Sequence, residues 1–505
     1  MPIQVFRFRR AILAALCALT CAFHAGCATH SKTSRVEAKT EPTLAEYIRA
    51  NYHKHEYQIL ARDGVKLFTA VYEPKDSSQS YPIMLCRTPY SVGPYGEGYK
   101  ETLGPSELFP REGFIFVYQD VRGRYMSEGE FVNMRPHIDH KNSPSDIDES
   151  TDTWDTIDWL TKNIANNNGR VGMWGISYPG FYCSAGMIDA HPALVAVSPQ
   201  APIADWYFDD FHHHGAFFLP HNFNFMSSFG RPRPKPTTEG AARFEHGTPD
   251  GYQFFLDLGP LKNADLKYFK GDVAFWNEVM AHPCYDEFWQ TRNILPHLNN
   301  VAPAVMTVGG WFDAEDLYGA LNTYSEIEKR NPGVNNMIVM GPWVHGGWAR
   351  TDGDRLGNIS FGDETSMFYR PNIELKFFNY HLKNEGANDL PEAYMFETGA
   401  NQWRTFSQWP PSAEVCDEAS LYLGDNGALV MNGAPTETAI AFDEFISDPA
   451  RPVPFTGAIA TGMTKEYMTD DQRFAARGTD VLMYQTDVLE NDVTIAGPIL
   501  AELWV

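Results

Sequence analysis

The stretch Arg170-Val-Gly-Met-Trp-Gly-Ile-Ser-Tyr-Pro-Gly180 decides the fold. Its apolar run at 171–176 reads as a buried strand, and the small residues that follow, Ala185 and Gly186 among them, read as a helix starting near Pro179. A serine on such a strand-to-helix turn, here Ser177, points its hydroxyl away from the sheet, and the backbone N–H of Tyr178 then faces the same space at the helix N-terminus. The plainer alternative is a serine that only caps the helix. The pattern also departs from a strict Gly-x-Ser-x-Gly, because Pro179 takes the place of the second glycine and Gly180 follows one position later.

On either side, short apolar runs alternate with turn signals. Residues 65–72 alternate apolar with polar and predict a strand, while 83–86 and 114–118 predict buried strands. Trp154, Ile157, Leu160 and Ile164 lie at helical spacing within 152–164, and Asn166-Asn-Asn-Gly169 ends that helix. Strand-like runs return at 304–308 and 337–340. Strands alternating with helices predict an α/β architecture with a largely parallel sheet. Residues 205–296 break the rhythm, being rich in Phe, Trp, His and Pro and containing Arg231-Pro-Arg-Pro-Lys-Pro236, and they read as a mostly helical inserted cap. Past Trp409-Pro410-Pro411, the runs 421–423, 481–484 and 493–505 predict an all-β domain that stops inside a strand.

A serine hydroxyl is a weak nucleophile and needs a base, itself oriented by a carboxylate. In α/β-hydrolases these follow in the order serine, acid, histidine. Asp313 ends Gly309-Gly-Trp-Phe-Asp313, just beyond the strand at 304–308, and His345 ends Gly341-Pro-Trp-Val-His345, just beyond 337–340. Singly, these are a turn residue and a structural histidine. In this order, both at the carboxyl edge of a parallel sheet, they complete a Ser177, His345, Asp313 triad.

The bulk properties bound the reading. With 505 residues, 43% hydrophobic, the chain buries a large core in two or three units. A formal charge of −24 excludes a nucleic-acid partner, since phosphate binding needs a basic surface. Arg7, Arg9 and Arg10 precede an apolar run at 11–23, too short to span a bilayer, which predicts a signal peptide over 1–28 and a periplasmic or extracellular destination. Gly26-Cys27 offers lipidation of Cys27 as the alternative, though His24 stands where a lipobox wants Leu. Removing the leader takes the charge from −24 to −27. Seven cysteines show no CxxC spacing, no zinc motif is present, and the chemistry requires no cofactor. His212-His-His214 lacks a ligand spacing and reads as part of the aromatic cap rather than a metal site. Asp120, Arg122 and Arg124 read as a structural ion-pair cluster, and Phe208, Phe217, Phe218 and Trp276 as core or pocket lining.

Several of these motifs together resemble one family. Arg87-Thr-Pro-Tyr90, Gln119-Asp-Val-Arg-Gly-Arg124 with Ser127-Glu-Gly129, Gly175-Ile-Ser-Tyr-Pro-Gly180, Gly310-Trp-Phe-Asp-Ala-Glu-Asp316 and Gly341-Pro-Trp-Val-His345 are similar to those of X-prolyl dipeptidyl peptidases, cocaine esterase and α-amino-acid ester hydrolases. The resemblance implies an α/β-hydrolase core with an inserted helical cap and a C-terminal jelly-roll that would run past Val505. The expected organisation is signal peptide 1–28, tether 29–50, core at 51–204 and 301–395, cap at 205–300, and incomplete jelly-roll at 396–505. It also implies that the Tyr90 hydroxyl joins the Tyr178 N–H in an oxyanion hole. By the same resemblance Glu315, Asp316 and Asp210, with Asp209 as the fallback, hold a substrate ammonium. Without the resemblance, Tyr90 is a packed aromatic and the carboxylates are caps or ion-pair partners.

The expected function is an exported acyl hydrolase forming a covalent acyl-enzyme on small α-amino acyl esters or amides. The rival activity is release of N-terminal X-Pro dipeptides. A rival of another class is a non-catalytic surface-binding protein on a degenerate hydrolase fold. The partners expected are a small ester, amide or short peptide, with homo-oligomerisation left open.

Overall fold

Ile83 and Leu85 face one side of the central sheet and Met84 and Cys86 the other, and all four are buried. A strand whose alternate side chains both leave water must be covered on two faces, as in parallel α/β sheets. The computed structural model describes residues 42–431 and 442–503. The expected signal peptide and Cys27 lie outside them.

Ten strands form one sheet: β1 (Tyr52–Leu60), β2 (Lys66–Pro74), β3 (Tyr81–Thr88), β4 (Ile115–Asp120), β5 (Asn167–Ser177), β6 (Leu194–Pro202), β7 (Ala304–Gly310), β8 (Asn336–Gly341), β9 (Ala393–Glu397) and β10 (Gln402–Phe406). Their spatial order is β1-β2-β4-β3-β5-β6-β7-β8-β9-β10. Every neighbouring pair from β4 to β9 is parallel. Antiparallel pairings occur only at the two sides, β1 with β2, β2 with β4, and β9 with β10. This is the α/β-hydrolase core. The carboxyl ends of β5, β7 and β8 share one edge, so residues just beyond them gather in one place.

Helix α1 (Glu149–Asn163) and helix α2 (Tyr178–Gly186) cover the face of Ile83 and Leu85, and helix α4 (Leu375–Lys383) covers the other. Helix α3 (Leu317–Arg330) follows β7. Helix α1 starts three residues before the apolar spacing predicts, because Asp148 and Thr151 form a capping box and a buried polar first turn precedes the apolar stripe.

The region expected as a cap holds helices Leu219–Phe229, Gly251–Leu258 and Ala274–Ala281, packed through aromatic side chains such as Phe223, Phe254, Phe269 and Trp276. Two expectations shift. The end of the expected tether, from Leu44, forms a helix that runs into the expected core at Asn51, begun by a capping box between Thr43 and Glu46. The boundary expected at 396 falls inside β9, and β10 pairs with β9, so the core extends to Phe406.

Beyond Phe406 the described residues contain one hairpin, Leu421–Gly424 with Ala428–Met431, single helical turns such as Arg473–Ala476, and otherwise irregular chain. The runs at 481–484 and 493–503 are not strands. Only Gln485 bridges the hairpin, pairing in parallel with Ala428, and apolar residues such as Val488 and Ile499 stay exposed. Among the described residues no helix is long and apolar enough to cross a membrane. Cys86, Cys183, Cys284 and Cys416 are all unpaired.

Candidate active site

Ser177 is the last residue of β5 and immediately precedes α2, with φ 71° and ψ −128°. A left-handed φ strains a residue bearing a side chain, and such strain persists only where the surroundings impose it. Two glycines impose it here. A Cβ on Gly175 would lie 2.5 Å from the backbone of Pro179, and one on Gly180 would lie 2.7 Å from the Gln200 carbonyl oxygen. Only glycine at both positions lets the helix turn back this tightly against β5 and β6. Tyr178 opens α2 with its N–H at the first turn, and its own hydroxyl accepts a hydrogen bond from the Met134 N–H at 2.7 Å.

The loops after β7 and β8 are fastened together before any charged group is considered. Trp311 N–H donates to Gly341 O at 2.9 Å and Phe312 N–H to Trp343 O at 3.0 Å. A Cβ on Gly310 would stand 2.2 Å from that same Trp343 oxygen, so glycine is needed for the approach. The result is Asp313 beside His345: Nδ1 lies 2.9 Å from Oδ2 and 3.2 Å from Oδ1. Asp313 Oδ1 also accepts the N–H groups of Glu315 and Asp316 at 2.9 and 3.0 Å. Burial would raise the Asp313 pKa, but His345 and these two N–H groups hold it below the ordinary range. Burial pulls His345 down, yet Asp313 and Glu315 outweigh it and push the imidazole up to about 9. Among the described residues Ser177 Oγ makes no hydrogen bond to His345, whose Nε2 lies 3.5 Å from Glu315 Oε2 instead. Hydrogen bonds of this kind often form only with substrate present.

Carboxylates crowd around that imidazole. Oxygens of Glu315 and Asp316 come within 4.8 Å of each other and of a His345 nitrogen, and those of Asp210 and Glu315 stand equally close to His221. Asp316 is fully buried, and neither of its oxygens has a hydrogen-bond partner. Burial and the neighbouring charges of Asp210, Asp209, Asp313 and Glu315 put its pKa well above the ordinary range. Asp210 Oδ1 meets His221 Nε2 at 3.2 Å, while its Oδ2 is buried without a partner. Asp209, the fallback position, is spoken for: it accepts N–H groups from Ala204 (2.8 Å), Asp205 (3.0 Å) and Gly319 (2.6 Å). Its role is to pin the start of α3 to the end of β6. Tyr90 packs edge-on against Tyr178, with ring centroids 6.3 Å apart. Although Tyr90 is 40% exposed, the protein packed around its ring and the charges of Asp210, Tyr178, Glu315 and Asp316 hold its phenol well above the usual pKa, so it remains a donor.

Two residues bordering the site escaped the sequence reading. His221, on the cap helix Leu219–Phe229, stacks between Phe218 (5.3 Å) and Phe225 (6.1 Å). Its only sequence signal is a histidine in an aromatic cap. Tyr467, from the segment after 442, has its pKa pushed up to about 12 by burial and by the charges of Asp313 and Glu315.

The expected ion-pair cluster separates into three independent structures. Arg122 pairs with Asp63 and Asp152, each at 2.7 Å. Asp120 instead accepts from Val92 N–H, Met126 N–H and the Tyr95 hydroxyl. Arg124 donates to the carbonyls of Pro89 and Phe229 and lies 4.1 Å over the Phe229 ring, joining core to cap. The three side chains leave the same short segment toward different partners, which is why sequence proximity misled. In the triple histidine, His212 stacks on Tyr207 and His213 meets the Asp209 carbonyl, so their rings diverge. Trp276 is core, and Phe218 flanks the site through His221.

Comparison with known proteins bears on this geometry. The sequence pattern of the family described as "X-Pro dipeptidyl-peptidase (S15 family)" matches residues 63–347, more than half of the chain. Cocaine esterase of Rhodococcus sp. (strain MB1 Bresler) is 28% identical over 467 residues, covering 88% of this chain and 76% of the esterase. Among solved structures, an α-amino acid ester hydrolase superposes with a TM-score of 0.79 at 33% identity, covering 93% of this chain and 77% of that one. An aminopeptidase from a marine sediment Thaumarchaeota archaeon superposes at 0.77 with 34% identity, covering 91% and 76%. The chain is a serine hydrolase and belongs to the S15 family of X-Pro dipeptidyl-peptidases and their esterase relatives.

Proposed function

We propose that this hydrolase cleaves α-amino acyl esters or amides through a covalent acyl-enzyme on Ser177. Ser177 Oγ attacks the carbonyl carbon and its proton passes to His345 Nε2, whose ring Asp313 holds from the Nδ1 side. The Tyr178 N–H and the Tyr90 hydroxyl stabilise the oxyanion. His345 returns the proton to the departing alcohol or amine, and water then repeats the sequence on the acyl-enzyme. No cofactor takes part in these steps.

The observation that carries the substrate class is that neither oxygen of buried Asp316 accepts a hydrogen bond, His345 Nδ1 standing 3.7 Å from its Oδ2, beside an Asp210 Oδ2 that likewise accepts none. Buried carboxylates without partners are costly, and an α-ammonium supplies the missing donors and charge, each such charge-assisted bond contributing about 1.5–3 kcal/mol. The names of two similar structures, an α-amino acid ester hydrolase and an aminopeptidase, support the same class.

A second reading, X-Pro dipeptide release, is favoured by the family match. It would place the ammonium one residue, about 3.5 Å of chain, farther from the scissile carbonyl. Glu315 stands 3.5 Å from the His345 nitrogen that must reach Ser177, and this closeness favours the shorter acyl group. Rates on phenylglycine methyl ester and on Gly-Pro-nitroanilide separate the two readings. The first reading expects the ester to be hydrolysed with the larger kcat/KM, and the reverse order would replace it with the second.

The leader composition supports export, and sequencing the mature N-terminus would distinguish cleavage after Ala28 from retention of a lipidated Cys27. The hairpin at 421–431 supports a C-terminal β domain, and its jelly-roll type rests on the family resemblance.

A further inference from the structure

We propose that His137, Asp139 and His297 bind one divalent transition-metal ion of the zinc class, at a site separate from the hydrolytic one. His137 and Asp139 lie two residues apart in the loop before α1, and His297 ends the turn Leu295–His297, by which the cap returns to the core. His297 Nδ1 is 2.7 Å from Asp139 Oδ1, and His137 Nε2 is 3.9 Å from the same oxygen. One donor atom from each residue lies within 4.8 Å of the other two. Ligands about 2.0–2.2 Å from a zinc ion stand roughly 3–3.6 Å from one another, so the three need only small movements to close on it.

The second observation is behind the ring. His137 has a buried side chain, and its Nδ1 sits 3.3 Å from Asp148 Oδ2. Asp148 is itself fixed, accepting the Lys141 ammonium at 2.8 Å and the Ile138 N–H at 3.1 Å on that oxygen. A carboxylate behind Nδ1 keeps the proton there and leaves the Nε2 lone pair directed at Asp139 and His297, an outer-shell arrangement that metal-binding histidines use repeatedly. Asp139 is exposed, which leaves room for water to complete the coordination. Two imidazoles and one carboxylate suit zinc, cobalt or nickel rather than calcium or magnesium, which prefer oxygen throughout.

Such an ion would clip the cap's return segment to the loop before α1. That loop also carries Met134, whose N–H holds the Tyr178 hydroxyl. The carboxylate clusters around Glu315 could also attract a cation, so the test must separate them.

The experiment is calorimetric titration of chelator-stripped, full-length protein with zinc, repeated with cobalt to read its visible absorption, and with thermal melts alongside. The expected result is one ion per chain with imidazole-type cobalt bands and a raised melting temperature. His297→Ala and exposed Asp139→Asn should each weaken binding at least about tenfold, whereas His221→Ala with Glu315→Gln should leave it intact. No zinc binding, or binding that survives His297→Ala but is lost in the His221→Ala, Glu315→Gln variant, would overturn the proposal.

Discussion

His345 Nδ1 lies 2.9 Å from Asp313 Oδ2, and its Nε2 faces a second carboxylate, Glu315 Oε2, at 3.5 Å. The second carboxylate favours a proton on Nε2, the nitrogen that in the proposed reaction takes the Ser177 proton. A base of this kind works only once neutral, and His345 is pushed up to about 9 by Asp313 and Glu315 against its burial. For an ester lacking an amino group, kcat/KM should therefore rise with pH through a midpoint near 9 rather than near 6.5. Glu315→Gln removes one of the anions and should move that midpoint down. A midpoint near 6.5 in the unaltered protein would contradict the arrangement. Stability moves the opposite way over the same pH range. A raised histidine pKa contributes stability fully below the unfolded value of about 6.5. That contribution is lost as pH rises through about 9, so the melting temperature should fall there by less in His345→Gln than in the unaltered protein.

The carboxylate cluster should set preference rather than chemistry. In the double variant Glu315→Gln, Asp316→Asn, the ratio of kcat/KM for an amino ester over its des-amino analogue should drop about tenfold to a hundredfold, the equivalent of one lost charge-assisted interaction. An unchanged ratio would mean that these groups do not contact the ammonium.

Neighbouring aspartates should behave differently. Asp209→Asn breaks a carboxylate that accepts three backbone N–H groups, and thermal unfolding should show a loss of about 1–3 kcal/mol. Asp210→Asn should keep the melting temperature within a few degrees and lose amino-ester preference, because one of its oxygens has no partner to lose.

Tyr90→Phe should lower kcat about a hundredfold or more while KM changes little, as expected for a donor engaged mainly in the transition state. Equal losses in the Michaelis constant would place the hydroxyl on ground-state substrate instead.

The loop junction is testable by one methyl group. Gly310→Ala places a carbon 2.2 Å from the Trp343 oxygen and should destabilise the fold by about 1–3 kcal/mol, with activity falling as Asp313 and His345 separate. Full activity in that variant would show that the two loops are not held together there.

Much of this was legible in the chain. The strand-to-helix turn at Ser177, the strands at 83–86 and 304–308 and the placement of Asp313 and His345 follow from apolar runs ending in glycine-rich loops. Strand β1 was hidden because many of its side chains, such as His53, His55 and Gln58, face solvent at the edge of the sheet and show no apolar alternation. Strand β10 was hidden similarly, its register being set by β9 rather than by its own pattern. The choice between Asp209 and Asp210 needed coordinates, since only the backbone donors of Ala204, Asp205 and Gly319 distinguish two adjacent carboxylates. His221 and Tyr467 come from segments far from the triad in sequence, and no local pattern marks them.

The most direct test is covalent labelling of the folded, full-length protein with a fluorophosphonate, followed by peptide mass mapping. The account predicts a single adduct on Ser177, its formation slowed strongly in His345→Ala, and no hydrolysis of any ester by Ser177→Ala. An adduct on a different serine, or ester hydrolysis that persists in Ser177→Ala, would contradict it.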